Sequence, residues 1–311
     1  MISLLCLAAF MRSMGDRLSG LNVLVTGSGR GFGQSMAVAY ASEGAHVIST
    51  SRTWSELRNT EAYIRAVDGR VSTIPCDLSD DESVKALTKA ILELGGVDVI
   101  VNNAATSPWK TIDEITVEDW DLVQSVNLRA PFLLTKLLYG SMAKRGGGSI
   151  INISSGSSRF GFMAELAYCP SKFGLEGLTQ CLALELRQHG IAVNSLNVSA
   201  PPGLRLKPTE LTEEEAEAMP EEVRVKYASV ESMVQNFTDA WVFLALQKGD
   251  GITGQRFRTR TLAEDLTGLG EEAVAKRYRG KLLEAVYTQI DFPEKVKYQT
   301  PEGVWKEIRF T

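Results

Sequence analysis

The 311-residue chain is 44% hydrophobic, 23% charged and 8% aromatic, which excludes a disordered or fibrous polymer and places it among ordinary globular proteins. Its formal net charge of -5 argues against a general binder of nucleic acid or of anionic membrane, since either needs a basic face. Cys6, Cys76, Cys169 and Cys181 form no C-x-x-C pair and the only histidines are His46 and His189, so no metal site is expected, and without a disulfide pattern a reducing cytoplasm is the expected compartment.

The apolar run from Leu4 to Met11 is shorter than the about 20 residues that cross a bilayer, and the first charge, Arg12, follows it rather than preceding it as a secretion signal requires. Residues 1–20 therefore read as an N-terminal extension. From Leu21 onward, short runs rich in Val and Ile alternate with longer segments of helical period. Strands are expected at Leu21–Thr26, His46–Ser51, Val71–Cys76, Val97–Asn102, Ser149–Ser154, Ile191–Asn197 and Gln255–Thr259. Helices are expected at Gly31–Glu43, Ser55–Val67, Asp80–Leu94, Val117–Lys144 and Tyr168–His189. This order predicts an α/β fold: one Rossmann-like domain, residues 21–260, built on a doubly wound parallel sheet of about seven strands. Most strands lack polar alternation, as expected where helices cover both faces. Residues 204–235 are an expected excursion or substrate lid. The stretch Thr209–Arg224 within it holds seven Glu and one Arg, and reads either as a lid that repels acidic carriers or as a solvated helix face. Residues 261–311, with Tyr278, Tyr287, Phe292, Tyr298, Trp305 and Phe310, form a C-terminal extension expected to dock.

Where the first strand turns into the first helix the chain reads Thr26-Gly27-Ser28-Gly29-Arg30-Gly31-Phe32-Gly33. The spacing T-G-x-x-x-G-x-G is not the plain G-x-G-x-x-G of a dinucleotide loop, yet its glycines let backbone N–H groups approach a phosphate at a helix N-terminus. At the end of strand two an NAD site would place Asp or Glu on the ribose hydroxyls. Here Ser49-Thr50-Ser51-Arg52 stands instead, and Arg52 with Arg30 forms a cradle for a 2′-phosphate, so NADP(H) is favoured and NAD(H) remains possible.

Tyr168 and Lys172 stand four apart at the start of a helix and so share a face. A phenol is a poor base at neutral pH, but a neighbouring cation favours the phenolate. Ser155, just past strand five, is placed to donate a hydrogen bond to the same reacting oxygen.

Together these motifs resemble the short-chain dehydrogenases/reductases over roughly Leu21 to Phe257. Gly27, Ser28, Arg30, Gly31, Phe32 and Gly33 match the family's cofactor loop, Asp77 with Leu78 resembles its adenine contact, and Asn102-Asn103-Ala104-Ala105 is similar to its N-N-A-G on strand four. Asn127, Ser155, Tyr168 and Lys172 match its catalytic tetrad. The resemblance implies that Tyr168 is the general acid/base, that Lys172 lowers its pKa and binds the nicotinamide ribose, that Ser155 orients the substrate oxygen and that Asn127 holds a relay water. It implies a small carbonyl or alcohol substrate and a homodimer or homotetramer formed through the helices Val117–Lys144 and Tyr168–His189. Three departures stand out. Ala105 replaces a glycine, seven residues separate Asn194 from the Pro202-Gly203 dipeptide where the family has three, and Arg256-Phe257-Arg258-Thr259-Arg260 lacks the closing glycines.

Trp109, Phe160 and Phe162 read equally as pocket wall or as packing. His46 and His189 read as structural, and Cys169 as a small packing residue. Other readings stay open: an NAD-linked alcohol or sugar dehydrogenase, an epimerase or dehydratase using the same cofactor, and a nucleotide-sensing scaffold without turnover.

Overall fold

The computed structural model describes residues 15–206, 218–283, 293–300 and 304–309. The apolar run at 4–11, most of the acidic stretch (207–217), Tyr287, Phe292 and Phe310 lie outside the described residues.

Seven parallel strands form the sheet: β1 (Asn22–Thr26), β2 (His46–Thr50), β3 (Arg70–Thr73), β4 (Val99–Asn102), β5 (Gly148–Ser154), β6 (Ile191–Asn197) and β7 (Arg256–Arg258). Their order, β3-β2-β1-β4-β5-β6-β7, reverses between β1 and β4, so the loops leaving those two strands diverge and open a crevice at the carboxyl edge. All residues of β4 and β5 are buried, the polar Asn102 and Asn152 among them bonding each other at 2.8 Å, as expected of central strands covered on both faces.

One face is covered by α1 (Gly31–Ser42) and α2 (Trp54–Ala66), the other by α3 (Asp81–Glu93), α4 (Val117–Gln124), α5 (Ala130–Lys144) and α6 (Tyr168–Leu186). Each expected helix is present, with one correction. The segment Val117–Lys144 is not one helix, because a π turn at Ser125–Arg129 separates α4 from α5. After β6 come a short α7 (Glu221–Arg224) and α8 (Val230–Ala245), and after β7 come α9 (Thr259–Leu269) and α10 (Glu271–Tyr278).

Helix α8 was not expected. It buries Met233, Val234, Phe237 and Trp241 beside α1, with the Trp241 ring edge-on to Phe32 at 5.3 Å between centroids. Two stretches read as extensions are likewise part of the core. Leu18 is fully buried and Arg17 reaches buried Glu43 at 2.6 Å, while Leu262, Leu266 and Val274 join the same apolar cluster as α8. Residues 230–235 thus open α8, with Met233 and Val234 in the core, and residues 17–18 and much of 261–278 pack against the domain read from 21 to 260. Tyr278 docks edge-on to Phe257 at 4.9 Å, as the aromatic content implies, whereas Trp305, on the hairpin of β8 (Lys295–Gln299) and β9 (Trp305–Arg309), is 66% exposed.

Candidate active site

The loop between β1 and α1 is shaped by close approach. Gly27 has φ +62°, and a Cβ there would stand 2.8 Å from Ala104 Cα. A Cβ at Gly33 would stand 2.5 Å from the Gly27 carbonyl and overlap the Asn103 amide. The Asn103 amide Nδ2 donates to the Thr26 and Gly27 carbonyls at 2.9 and 3.1 Å, and the Asn103 and Ala104 N–H groups both donate to Thr26 Oγ1. The two strands flanking the crevice are therefore pinned to each other at their ends. No side chain caps the first turn of α1, and a Cβ at Gly31 would meet open space. The amides of that turn are left to an outside acceptor, which fits a dinucleotide pyrophosphate. Ser28 differs from a side-chain ligand: its hydroxyl is buried against Ser49 Oγ at 2.8 Å and receives the Thr50 N–H at 3.0 Å.

At the end of β2, the backbone of Gly29 abuts Ser51, and Arg30 and Arg52 stand on the two adjoining loops. Sequence reasoning missed a third charge here. Glu56, in the first turn of α2, lies 3.6 Å from the Arg30 guanidinium and beside Gly29. Asp77 accepts from Ser79 N–H and Oγ at 2.9 and 2.7 Å, and these bonds, helped by the charge of Arg52, hold its carboxyl below the usual range. Leu78 packs on the α3 side of the core. Pro202 and Gly203 are exposed in a turn after β6 in which Leu204 N–H bonds the Pro201 carbonyl, and Arg260 holds the Ala200 carbonyl at 2.6 Å.

Across the crevice, the start of α6 lies along the end of β5. Lys172 is 2% exposed; its Nζ donates to the Ile153 carbonyl at 2.8 Å and sits 5.5 Å from the centre of the Tyr168 ring. Burial pushes the ammonium down to about 8, against the opposing pull of Glu176, so the group remains a cation at neutral pH. Tyr168 is half-buried at the first position of the helix. Ser155 caps the short 3₁₀ turn Gly156–Ser158, its Oγ accepting from Ser157 N–H at 3.2 Å. Asn127 sits in the π turn, where its carboxamide bonds both the N–H and the carbonyl of Thr106, at 2.8 and 3.0 Å, and donates to Ser171 Oγ at 3.1 Å. This ties the β4 loop to α6 one residue before Lys172. A π turn at such a position recurs at functional sites, and helical periodicity carries no signal of it.

Two loops rim the site. Lys110 and Glu165 form an isolated bridge, and the neighbouring Trp109 and Ala164 both have positive φ, +51° and +64°. Phe160 and Phe162 are exposed, their rings tilted against each other at 4.7 Å between centroids rather than packed into the core. Cys169 staples the same loop from beneath, accepting the Phe162 N–H and donating to Glu165, and burial pushes its thiol up to about 12. His46 bridges Asn22 and Ser72 on neighbouring strands, and His189 lies edge-on to Tyr139, so both are structural.

A topological crevice with a glycine-lined loop on one side and a buried lysine under a tyrosine on the other defines a nicotinamide-dependent oxidoreductase, acting between CH–OH and C=O. Residues 21–220 match the model of the short chain dehydrogenases, and the chain belongs to that family. It is 34% identical to the L-xylulose reductase of Mesocricetus auratus over 76% of this chain and 93% of that one, and 32% identical to the D-threitol dehydrogenase of Mycolicibacterium smegmatis over 58% and 70%. Among solved structures it is similar to L-sorbose reductase from Gluconobacter frateurii, complexed with NADPH and L-sorbose (TM-score 0.66, 25% identity, 78% of this chain and 95% of that one). It is also similar to a metagenomic short-chain oxidoreductase in complex with NADP (TM-score 0.64, 29% identity, 78% and 98%).

Proposed function

We propose that this NAD(P)-dependent oxidoreductase is an NADPH-linked reductase of a small polyhydroxy ketone, running in reverse as a polyol dehydrogenase. The observation that carries the reading is the buried Lys172 cation beneath the Tyr168 ring. Tyr168 gives its proton to the developing alkoxide during reduction, and Lys172 stabilises the phenolate left behind. Ser155 donates to the substrate oxygen and fixes its distance from the phenol. Asn127 keeps one lone pair of Oδ1 for a relay water, its two N–H groups being engaged. The bound cofactor supplies hydride exchange with the substrate carbon. Gly27, Gly31, Phe32 and Gly33 would hold its pyrophosphate, while Ser28 shapes the loop, its N–H donating to the Thr50 carbonyl and its hydroxyl buried against Ser49. Ser51, Asp77, Leu78, Asn103 and Ala104 hold the adenosine side, and Lys172, Pro202 and Gly203 the nicotinamide side. The names of the relatives, L-xylulose, L-sorbose and D-threitol among them, support a ketose and polyol pair. Among the described residues Cys76, Cys169 and Cys181 are free thiols, which suits a reducing cytoplasm.

NADP(H) preference rests on Arg30 and Arg52, with Glu56 working against it. A carboxylate 3.6 Å from Arg30 competes with a 2′-phosphate for the guanidinium and repels the phosphate itself. Parallel titrations followed by nicotinamide fluorescence test this. The wild type is expected to bind NADPH at least about tenfold more tightly than NADH, the order of one charge-assisted contact, and Glu56→Gln to widen the ratio further. Equal binding of the two cofactors contradicts the arginine reading, and a ratio narrowed by Glu56→Gln contradicts the role of Glu56.

Leu184 on α6 and Phe132 and Leu137 on α5 are exposed, and support a homodimer or homotetramer through these helices. Light scattering is expected to return twice or four times the chain mass; a monomer at working concentration contradicts it.

A further inference from the structure

Behind the tyrosine and lysine lies a carboxylate that the reaction scheme does not use. Glu176 stands one turn beyond Lys172 and two beyond Tyr168, so all three share a helix face. Its Oε1 accepts from Ser154 Oγ, from Ser158 Oγ at 3.2 Å and from Arg256 Nε at 2.8 Å, and its Oε2 accepts from Ser195 Oγ at 2.6 Å. The guanidinium then reaches to the serine side of the site, where Nη2 donates to the Ser155 carbonyl at 2.9 Å and to Ser158 Oγ at 3.0 Å. The two side chains are 17% and 16% exposed, so the pair is only weakly screened by solvent. One ion pair thus joins the ends of β5, β6 and β7 to α6, and Arg256 falls in the segment where the family's closing glycines are missing.

We propose that Glu176 and Arg256 form the positioning pair of the active site, setting Ser155 against Tyr168 and keeping the charge beside Lys172 neutral so that the lysine acts on the phenol. The inference rests on the roles given above to Ser155, Tyr168 and Lys172. Its electrostatic half is specific. Left without Arg256, the carboxylate of Glu176 faces Lys172 one turn away, offsets the ammonium and disfavours the Tyr168 phenolate. Left without Glu176, Arg256 adds a second cation to Lys172 and favours it. The other charged and titratable groups facing the pair are Arg159 beyond the 3₁₀ turn, Arg258 on β7, Asp265 on α9 and Tyr278 on α10, which line a cavity with Arg256. Asp265 is paired with Arg277 at 2.9 Å, and Arg159 and Arg258 are exposed to solvent screening, so none replaces either partner.

The test is a titration of the Tyr168 phenol by phenolate ultraviolet absorbance, each background being read against its own Tyr168→Phe counterpart so that the other tyrosines cancel. Arg256→Gln is expected to raise the phenol's titration point by about half a unit to one unit and Glu176→Gln to lower it by a similar amount, as for one partly screened charge. The double variant should return close to the wild type. Should Arg256→Gln fail to fold, as judged by circular dichroism, Arg256→Lys keeps the charge and is expected to titrate with the wild type while losing the bond to Ser155. No displacement in Glu176→Gln, or displacement of both single variants in the same direction, overturns the proposal and leaves the pair a structural strut. Failure of the catalytic reading shows separately, as undiminished turnover in Tyr168→Phe, and does not affect this titration.

Discussion

Tyr168→Phe is expected to lower kcat by about 10³-fold, within the range for losing a positioned general acid, while NADPH binding changes by no more than a few-fold. The substitution removes one hydroxyl and nothing else. The ring stays over Lys172, and the helix start that carries it is held by the Cys169 N–H to Glu165 carbonyl bond at 2.9 Å and by the Asn127 bond to Ser171 at 3.1 Å. Geometry and cofactor contacts therefore survive, and only the proton route is cut. Single-turnover rates with saturating NADPH measure the loss. A variant that reduces substrate at the wild-type rate contradicts the mechanism, and one that no longer binds NADPH shows that the hydroxyl served the cofactor instead.

Lys172→Met is expected to act in opposite directions on activity and on stability. Activity should fall by a further order of magnitude or more beyond Tyr168→Phe, because the cation that favours the phenolate and the proposed ribose donor are lost together. Stability should rise at neutral pH. Burial lowers the ammonium from its ordinary 10.5 to about 8, so below pH 8 the folded state carries a cation that would be better solvated in the unfolded chain. That difference is worth about 3 kcal/mol, from which the orphaned Ile153 carbonyl takes back about 1 to 2. Between about 8 and 10.5 the unfolded chain binds the proton and the folded one does not, so wild-type stability rises with pH through this window and the advantage of the methionine disappears. Denaturant midpoints at pH 7 and pH 10.5 check this. A variant less stable than the wild type at pH 7, or a pH-independent gain, would show that Lys172 is not held at a cost.

The fold was legible because its signals are local. The strands at the centre of the sheet carry clusters of Val and Ile, the first helix begins at a glycine loop, and Tyr168 and Lys172 are four apart on one helix. What escaped detection depends on partners far away in the chain. Arg256 reads as an odd residue in a weak seventh strand until Glu176, 80 residues earlier, and the Ser155 carbonyl are seen beside it. Glu56 looks like an ordinary acidic residue in a first helical turn, and only the fold brings it to Arg30. Asn127 was found through the family resemblance, whereas the π turn that seats it leaves no periodic trace. Helix α8 was hidden by the acidic, proline-punctuated stretch before it, although Met233, Val234, Phe237 and Trp241 mark one buried face at helical spacing. The inward turn of Ser28 was equally invisible, since a serine in a glycine loop reads as a phosphate donor until Ser49 is placed against it.

The most direct test of the central claim is NADPH consumption by the full chain with a panel of small 2-ketoses, the product being identified by chromatography. A ketose is expected to be reduced to its polyol in equal amount to the NADPH oxidised, and the same polyol to be oxidised with NADP⁺. NADPH that binds but is not consumed with any carbonyl substrate, or a product that is an epimer or a dehydrated sugar, would contradict it.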